Sequence, residues 1–486
     1  MSDMLKPVAR AGESPHSAHV RRFTRIVYGS GGVTGGIISV GLGMFVLVYY
    51  SRVLGLSAGL VGTALAIALI FDAISDPLVG YASDKFRSRW GRRHPFMYFA
   101  ILPVSFLVYL LWNPPHESLD AQGLFVYLVC VTVSLRLLLT CFEVPSTALN
   151  PELTDDYDER THLANYRVCF AWVAMTIVGF LLYGYWLSDT PEYPDGLLNI
   201  SGYRQMGLAS AIIVLVAMLV CSIGLHPRIP SFKQHLEKHT WSVRGTLRGL
   251  MNVYSEPSLV PLLLASILIA IAFAIQGALQ VYFFSYFWEL DNAEISGLMV
   301  AWGVGVVLGF LATPLLSRGR DKRNVAMWML GALALEEIGF PGLRIMGLFP
   351  STESALYYPL ILVISTFQMT IYLVLIAMLA SMLADVAEKR ELASGDREEG
   401  TIYSAQMLAS KASGSLGVWI SGFMLEVVDF PTAVDAIEVT PGTARSLLLV
   451  AIAVFLVFYP LALFCLSRFR IDRAEHGSDL DQLRDR

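Results

Sequence analysis

Two carboxylates, Asp72 and Asp76, stand four residues apart in an apolar run, with Ser75 beside them. On a helix that spacing places both acids on one face. Like charges there repel unless a cation lies between them or one is protonated. A second apolar run carries Arg136, Thr140 and Glu143 at i, i+4, i+7, again on a single face. Four oxygen donors drawn from two helices (Asp72, Ser75, Asp76, Thr140) would suit a hard cation such as Na⁺. Further charges sit in apolar runs: Arg167, Glu336, Glu337, Arg344 and Lys411. Asp72, Asp76 and Glu143 balance Arg136, Arg167 and Lys411. Glu336 and Glu337 read as bracing groups, and Arg344 as a side chain snorkelling to an interface.

The elements that hold these residues are membrane helices. Of the 486 residues 55% are hydrophobic and 15% charged, against about 25% charge in a soluble domain. Runs of the roughly 20 apolar residues that a span needs lie near 26–51, 57–83, 95–113, 121–148, 163–187, 204–224, 259–288, 294–316, 325–348, 356–384, 401–428 and 444–468. Charged groups at that depth are expensive and mark solute or ion pathways.

Charge sets the orientation. With both termini and the connections after even-numbered spans on one side, that side holds 28 of the 35 Lys and Arg residues. Segments 114–120, 188–200, 289–293, 349–355 and 429–442 hold none. The basic side is expected to be cytoplasmic. The expected organisation is a tail (1–25), a six-helix bundle (26–224), a central loop (225–258), a second bundle (259–468) and a tail (469–486). The halves echo each other: YASDKFRSRWGRR follows span 2 and LSRGRDKRN follows span 8, while acidic stretches follow spans 4 and 10. The fold class is therefore all-α, twelve transmembrane helices in two pseudosymmetric bundles, a common transporter build.

Several classes are excluded. The five cysteines show no C-x-x-C spacing and the nine histidines lie in tails, loops or loop edges, so no zinc site is expected. No Gly-Lys pair exists for a P-loop, so an enzyme is not expected. No basic tract suits nucleic acid.

Residues 55–96, GLSAGLVGTALAIALIFDAISDPLVGYASDKFRSRWGRRHPF, together with 142–167 and 382–417, resemble the glycoside–pentoside–hexuronide:cation symporters of the major facilitator superfamily, the melibiose permease group. The likeness runs from Tyr28 to about Arg468. It implies cation ligands at Asp72, Ser75, Asp76 and Thr140, with Na⁺ as the metal. It also implies solute or coupling roles for Glu143, Arg167, Gln406 and Lys411, to which the charge pattern adds Arg136, and Tyr166 and Trp172 as stacking platforms. The loop with Asp84, Arg92 and Arg93 becomes a cytoplasmic gate. Where melibiose permease carries a Lys-Asp pair in its first span, this chain has Gly35-Gly36; Thr147 replaces an aromatic and Arg136 a small residue.

The expected function is symport of a small polar solute (sugar, glycoside or sugar acid) with Na⁺ or H⁺, by alternating access, in the cell inner membrane. No cofactor beyond the coupling cation is expected, and no partner beyond solute, cation and lipid; the chain would act as a monomer. Rival readings are a lysolipid or amphiphile transporter of the same fold, for which Gly35-Gly36 would leave room, and a membrane scaffold or sensor.

Overall fold

The computed structural model describes residues 22–231 (except 155, 192 and 194), 259–394, 399–432 and 439–469. Most of the expected tails and central loop lie outside the described residues. Among the described residues there is no strand, and twelve long helices follow in order: α1 Arg22–Val53, α2 Ala58–Lys85, α3 His94–Trp112, α4 Ala121–Thr147, α5 Tyr157–Leu181, α6 Ile200–Leu225, α7 Leu259–Tyr282, α8 Asn292–Ser317, α9 Lys322–Ile345, α10 Tyr357–Ser394, α11 Glu399–Val427 and α12 Pro441–Ser467.

Local chemistry sets many of the helix starts. Ser57, Asp120, Asp156, Asn199 and Thr440 each accept a backbone N–H of the first turn, and Asp291 forms a full capping box with Glu294. Two boundaries differ from expectation. The acidic stretch 385–400 reads as a loop by charge, yet α10 continues to Ser394. Its Ala, Glu, Lys, Arg and Leu are strong helix formers, and no glycine interrupts them before Gly395. Likewise α5 begins at Tyr157, several residues before the apolar run, because Asp156 caps it.

Ten of the twelve helices are long and apolar enough to cross a membrane. The other two, α9 and α11, carry Glu336, Glu337, Arg344 and Lys411; charges in a span that faces protein rather than lipid lower its mean hydropathy without preventing insertion. Elsewhere apolar side chains stand outward in helical stripes, as Phe99, Leu102 and Phe106 do on α3. No water-soluble surface would tolerate such stripes on so many helices. The chain is a multi-pass membrane protein.

The helices divide into two compact units, α1–α6 and α7–α12. Within the first, α1 packs on α5 and α6, α2 on α4, and α3 on α4 and α6; within the second, α7 packs on α11 and α12, α8 on α10, and α9 on α10 and α12. The second set is the first advanced by six. The repeat reaches single hydrogen bonds. Leu54 N–H donates to Tyr49 O and Leu56 N–H to Tyr50 O, while 234 residues later Trp288 N–H donates to Phe283 O and Leu290 N–H to Phe284 O. Gly55 and Glu289, the residues between those donors, both have positive φ.

Ion pairs repeat as well. Arg92 and Arg93, before α3, both reach Glu152 Oε1 beyond α4, and Arg93 also meets Asp84 at 3.2 Å. In the second unit Lys322, starting α9, pairs with Asp385 in α10 at 2.6 Å. Glu152 was not singled out in the sequence; its link to Arg93 crosses 59 positions. Burial pulls the Arg93 guanidinium below its ordinary value, and Glu152 and Asp84 pull it back up. The Arg93 and Glu152 side chains are 9% and 10% exposed, so removing Glu152 leaves the buried Arg93 with Asp84 alone. Glu152→Gln is expected to lower stability by about 1–3 kcal/mol, seen as a lower thermal midpoint of the purified protein. An unchanged midpoint would show that the pair does not brace α3 against α4.

Candidate functional site

Packing of α2 on α4 brings the predicted oxygen donors together. The Thr140 hydroxyl lies 3.2 Å from Asp72 Oδ1, 2.9 Å from Asp76 Oδ1 and 3.4 Å from Ser75 Oγ. Asp72, Ser75 and Thr140 are buried. One hydroxyl has one proton, so it cannot satisfy both carboxylates at once. Arg136, one turn before Thr140, places Nη1 3.7 Å from Asp72 Oδ2. It therefore faces Asp72 across the helix interface, while its own carbonyl lies 3.1 Å from Thr140 Oγ1. Two carboxylates thus meet at one hydroxyl, with the Arg136 guanidinium beside Asp72.

Glu143 follows one turn further along α4, and its Oε1 lies against Gly35 of α1: a Cβ built there would stand 2.9 Å from it. Arg167 of α5 reaches Ser146, three residues beyond Glu143 on α4. Its Nη2 donates to Ser146 Oγ at 2.9 Å, and its guanidinium lies over the Tyr28 ring at 5.6 Å. Ser146 is fully buried and was not named from the sequence, because a serine beside a proline gives no signal by itself. Tyr166 packs its Cβ towards Gly29, and Trp172 is half-buried on α5. In the second unit, Gln406 Nε2 donates to Ser410 Oγ at 3.4 Å and Lys411 is half-buried on α11.

The glycines of α1 take a different role from the one their small size suggested. A Cβ on Gly32 would stand 2.0 Å from Arg167 O, and one on Gly36 would stand 2.3 Å from Ala171 O. Spaced by four, these two residues let α1 lie directly on the α5 backbone, as small residues do between membrane helices. The room expected at Gly36 is taken by α5.

Among the described residues no group of three or more His, Cys, Asp and Glu could hold a metal ion. The oxygen-only donor set at Asp72, Asp76, Ser75 and Thr140 instead fits a hard cation or a proton.

Two repeated six-helix units with acids and bases at membrane depth define a major facilitator transporter. Residues 27–473 match the model of the MFS/sugar transport protein family, and the chain belongs to that family, within its glycoside–pentoside–hexuronide symporter group. Relatives include the "Uncharacterized symporter sll1374" of Synechocystis sp., 26% identical over 95% of this chain and 96% of the relative. The inner membrane symporter YicJ of Escherichia coli is 24% identical over 88% and 86%. The isoprimeverose transporter of Lactiplantibacillus pentosus is 23% identical over 78% and 75%. Among solved structures, the nucleoside transporter NupG superposes with a TM-score of 0.63 at 13% identity, over 92% of this chain and 98% of NupG. The inward-open xylose transporter XylE of E. coli gives 0.60 at 13% identity, over 95% and 98%. These structures share the fold. The chain is a transporter rather than an enzyme.

Proposed function

We propose that the chain is a cation-coupled symporter that moves a small polar solute (a sugar, glycoside or sugar acid) by alternating access. The observation that carries this is the convergence of Asp72 and Asp76 on the single hydroxyl of Thr140. A Na⁺ ion or a proton there removes the repulsion between the carboxylates. The cation acts on the solute side through α4, which carries Arg136, Thr140 and Glu143 on one face.

In this reading Glu143 and Arg167 hold the solute, with Tyr166 and Trp172 offering rings and Gln406 and Lys411 acting from α11. Asp84, Arg92 and Arg93 serve as a gate on the basic side, which is cytoplasmic together with both termini. Relatives named as an inner-membrane symporter and a sugar transporter support the location and the solute class. A carboxylate and a guanidinium suit a polyhydroxylated solute, since both form paired hydrogen bonds to vicinal hydroxyls. An amphiphile cargo loses its support, because the space that favoured it is filled at Gly36 by α5.

The test is transport by the purified protein in proteoliposomes, with neutral sugars, glycosides and uronic acids offered under an inward Na⁺ or H⁺ gradient. At least one solute is expected to accumulate above equilibrium under one gradient and to equilibrate without it. Cation and solute must then raise each other's affinity by the same factor. Equilibration alone under both gradients, for every solute that enters, would remove coupling from the reading.

A further inference from the structure

The second unit holds an acidic site that the proposed transport cycle does not use. Glu336 and Glu337 of α9 line a cavity of about 50 Å³ together with Gln276 of α7, Ser365 and Gln368 of α10 and Phe455 of α12. That volume holds roughly three to five waters, at about 10–15 Å³ each. Glu337 is 6% exposed. Its carboxylate accepts hydrogen bonds from the Tyr459 hydroxyl and from Gln368 Nε2. Glu336 differs: its Oε2 is shut off from solvent and has no hydrogen-bond partner in the protein.

Among the described residues neither carboxyl forms an ion pair with Lys, Arg or His. The titratable groups facing them are Tyr372 from α10 and Tyr459 from α12, and α7 contributes only the Gln276 amide. Arg344, two turns further along α9, is held elsewhere: it pairs with Glu289 at 3.0 Å and lies over the rings of Phe287, Trp288 and Tyr357. Two carboxylates on one small cavity, met by neutral donors only, do not both stay ionised. The donors decide between them. Glu337 has two and supports a charge, whereas the buried oxygen of Glu336 has none.

We propose that Glu336 and Glu337 form a second proton-binding site, in which Glu336 Oε2 carries one proton at neutral pH and exchanges it through water in the cavity. The proton comes from that water and returns to it, and no bond other than O–H forms or breaks. This site stands independently of the Asp72–Asp76 reading, since it uses residues of the other unit and neutral partners of its own. Its position joins α9 to α10 and α12, so gain or loss of the proton acts on the packing of those three helices.

Infrared spectroscopy of the full-length protein, with ¹³C in the glutamate side-chain carboxyl, tests it directly. The label separates a protonated glutamate from Asp72 and Asp76. Wild type and Glu143→Gln are expected to share one protonated-glutamate carbonyl band at pH 7 that shifts in D₂O, and Glu336→Gln is expected to lack it. Tyr459→Phe, which removes a donor from Glu337, is expected to move the band's frequency and covers the case in which Glu336→Gln does not fold. Absence of the band in wild type, its survival in Glu336→Gln, or an unmoved band in Tyr459→Phe would each overturn the proposal.

Discussion

Asp76→Asn is expected to abolish gradient-driven accumulation while solute exchange continues. The carboxylate contributes one of the two negative charges around Thr140, with Oδ1 2.9 Å from the hydroxyl. Replacing it by an amide leaves Asp72, with Arg136 at 3.7 Å, as the one carboxylate at that hydroxyl. One carboxylate draws a cation out of water less strongly than two, because the cation's hydration is strong. Losses in the surroundings of a metal ligand already weaken metal binding by about 10–100-fold, so removal of a charged ligand is expected to cost ~100-fold or more in accumulation. Asn is close in shape to Asp and keeps an oxygen facing Thr140, so folding is expected to survive. Glu143 and Arg167 are untouched, and counterflow of solute between preloaded vesicles and medium checks them separately. Accumulation at the wild-type level would take Asp76 out of the cation site. Loss of both accumulation and counterflow would point instead to a damaged solute path.

The second large effect concerns Gly36, where the related melibiose permease pattern has an acid. Gly36→Asp is expected to abolish folding rather than to restore sugar recognition. The new Cβ would lie 2.3 Å from the Ala171 carbonyl oxygen, and that atom is helix backbone, which cannot swing aside. The loss is expected to exceed the ~1–3 kcal/mol of ordinary overpacking, because α1 would have to part from α5 along its length. Gly35→Ala provides the contrast. Its Cβ meets only Glu143 Oε1, at 2.9 Å, the far end of a side chain that can turn. That variant is expected to fold and to show weakened solute uptake. Size-exclusion profiles and thermal midpoints of the two proteins decide the matter. A well-folded Gly36→Asp protein would mean that α1 and α5 can separate without loss.

Much of the architecture was legible because the bilayer imposes a strict rule. Spans need about 20 apolar residues, loops between them are short, and basic residues gather on one side. Those constraints are local, so hydropathy and charge alone give twelve helices and the repeat of six. The donors Asp72, Ser75 and Asp76 were legible for the same reason: they lie within five residues on one helix face, and spacing fixes what shares a face. Boundaries driven by capping and propensity rather than hydropathy were less so. The helical continuation to Ser394 and the early start of α5 at Tyr157 are the examples.

Partners across helices could not be read in the same way, since a contact between residues far apart in the chain depends on how helices rotate and how closely they approach. The sequence by itself determined that acids and bases lie at membrane depth, on which helices they lie, and that α2 and α4 each carry carboxylate and hydroxyl oxygens on one face. Tertiary structure alone decided that Arg136 faces Asp72, that Arg167 turns to Ser146, and that Glu152 gathers both Arg92 and Arg93. It also decided the meaning of Gly36. A glycine looks the same in a sequence whether it opens a cavity or admits a neighbouring backbone. Here the distance between α1 and α5 makes it the second, because a carbonyl oxygen already occupies the place where a side chain would stand.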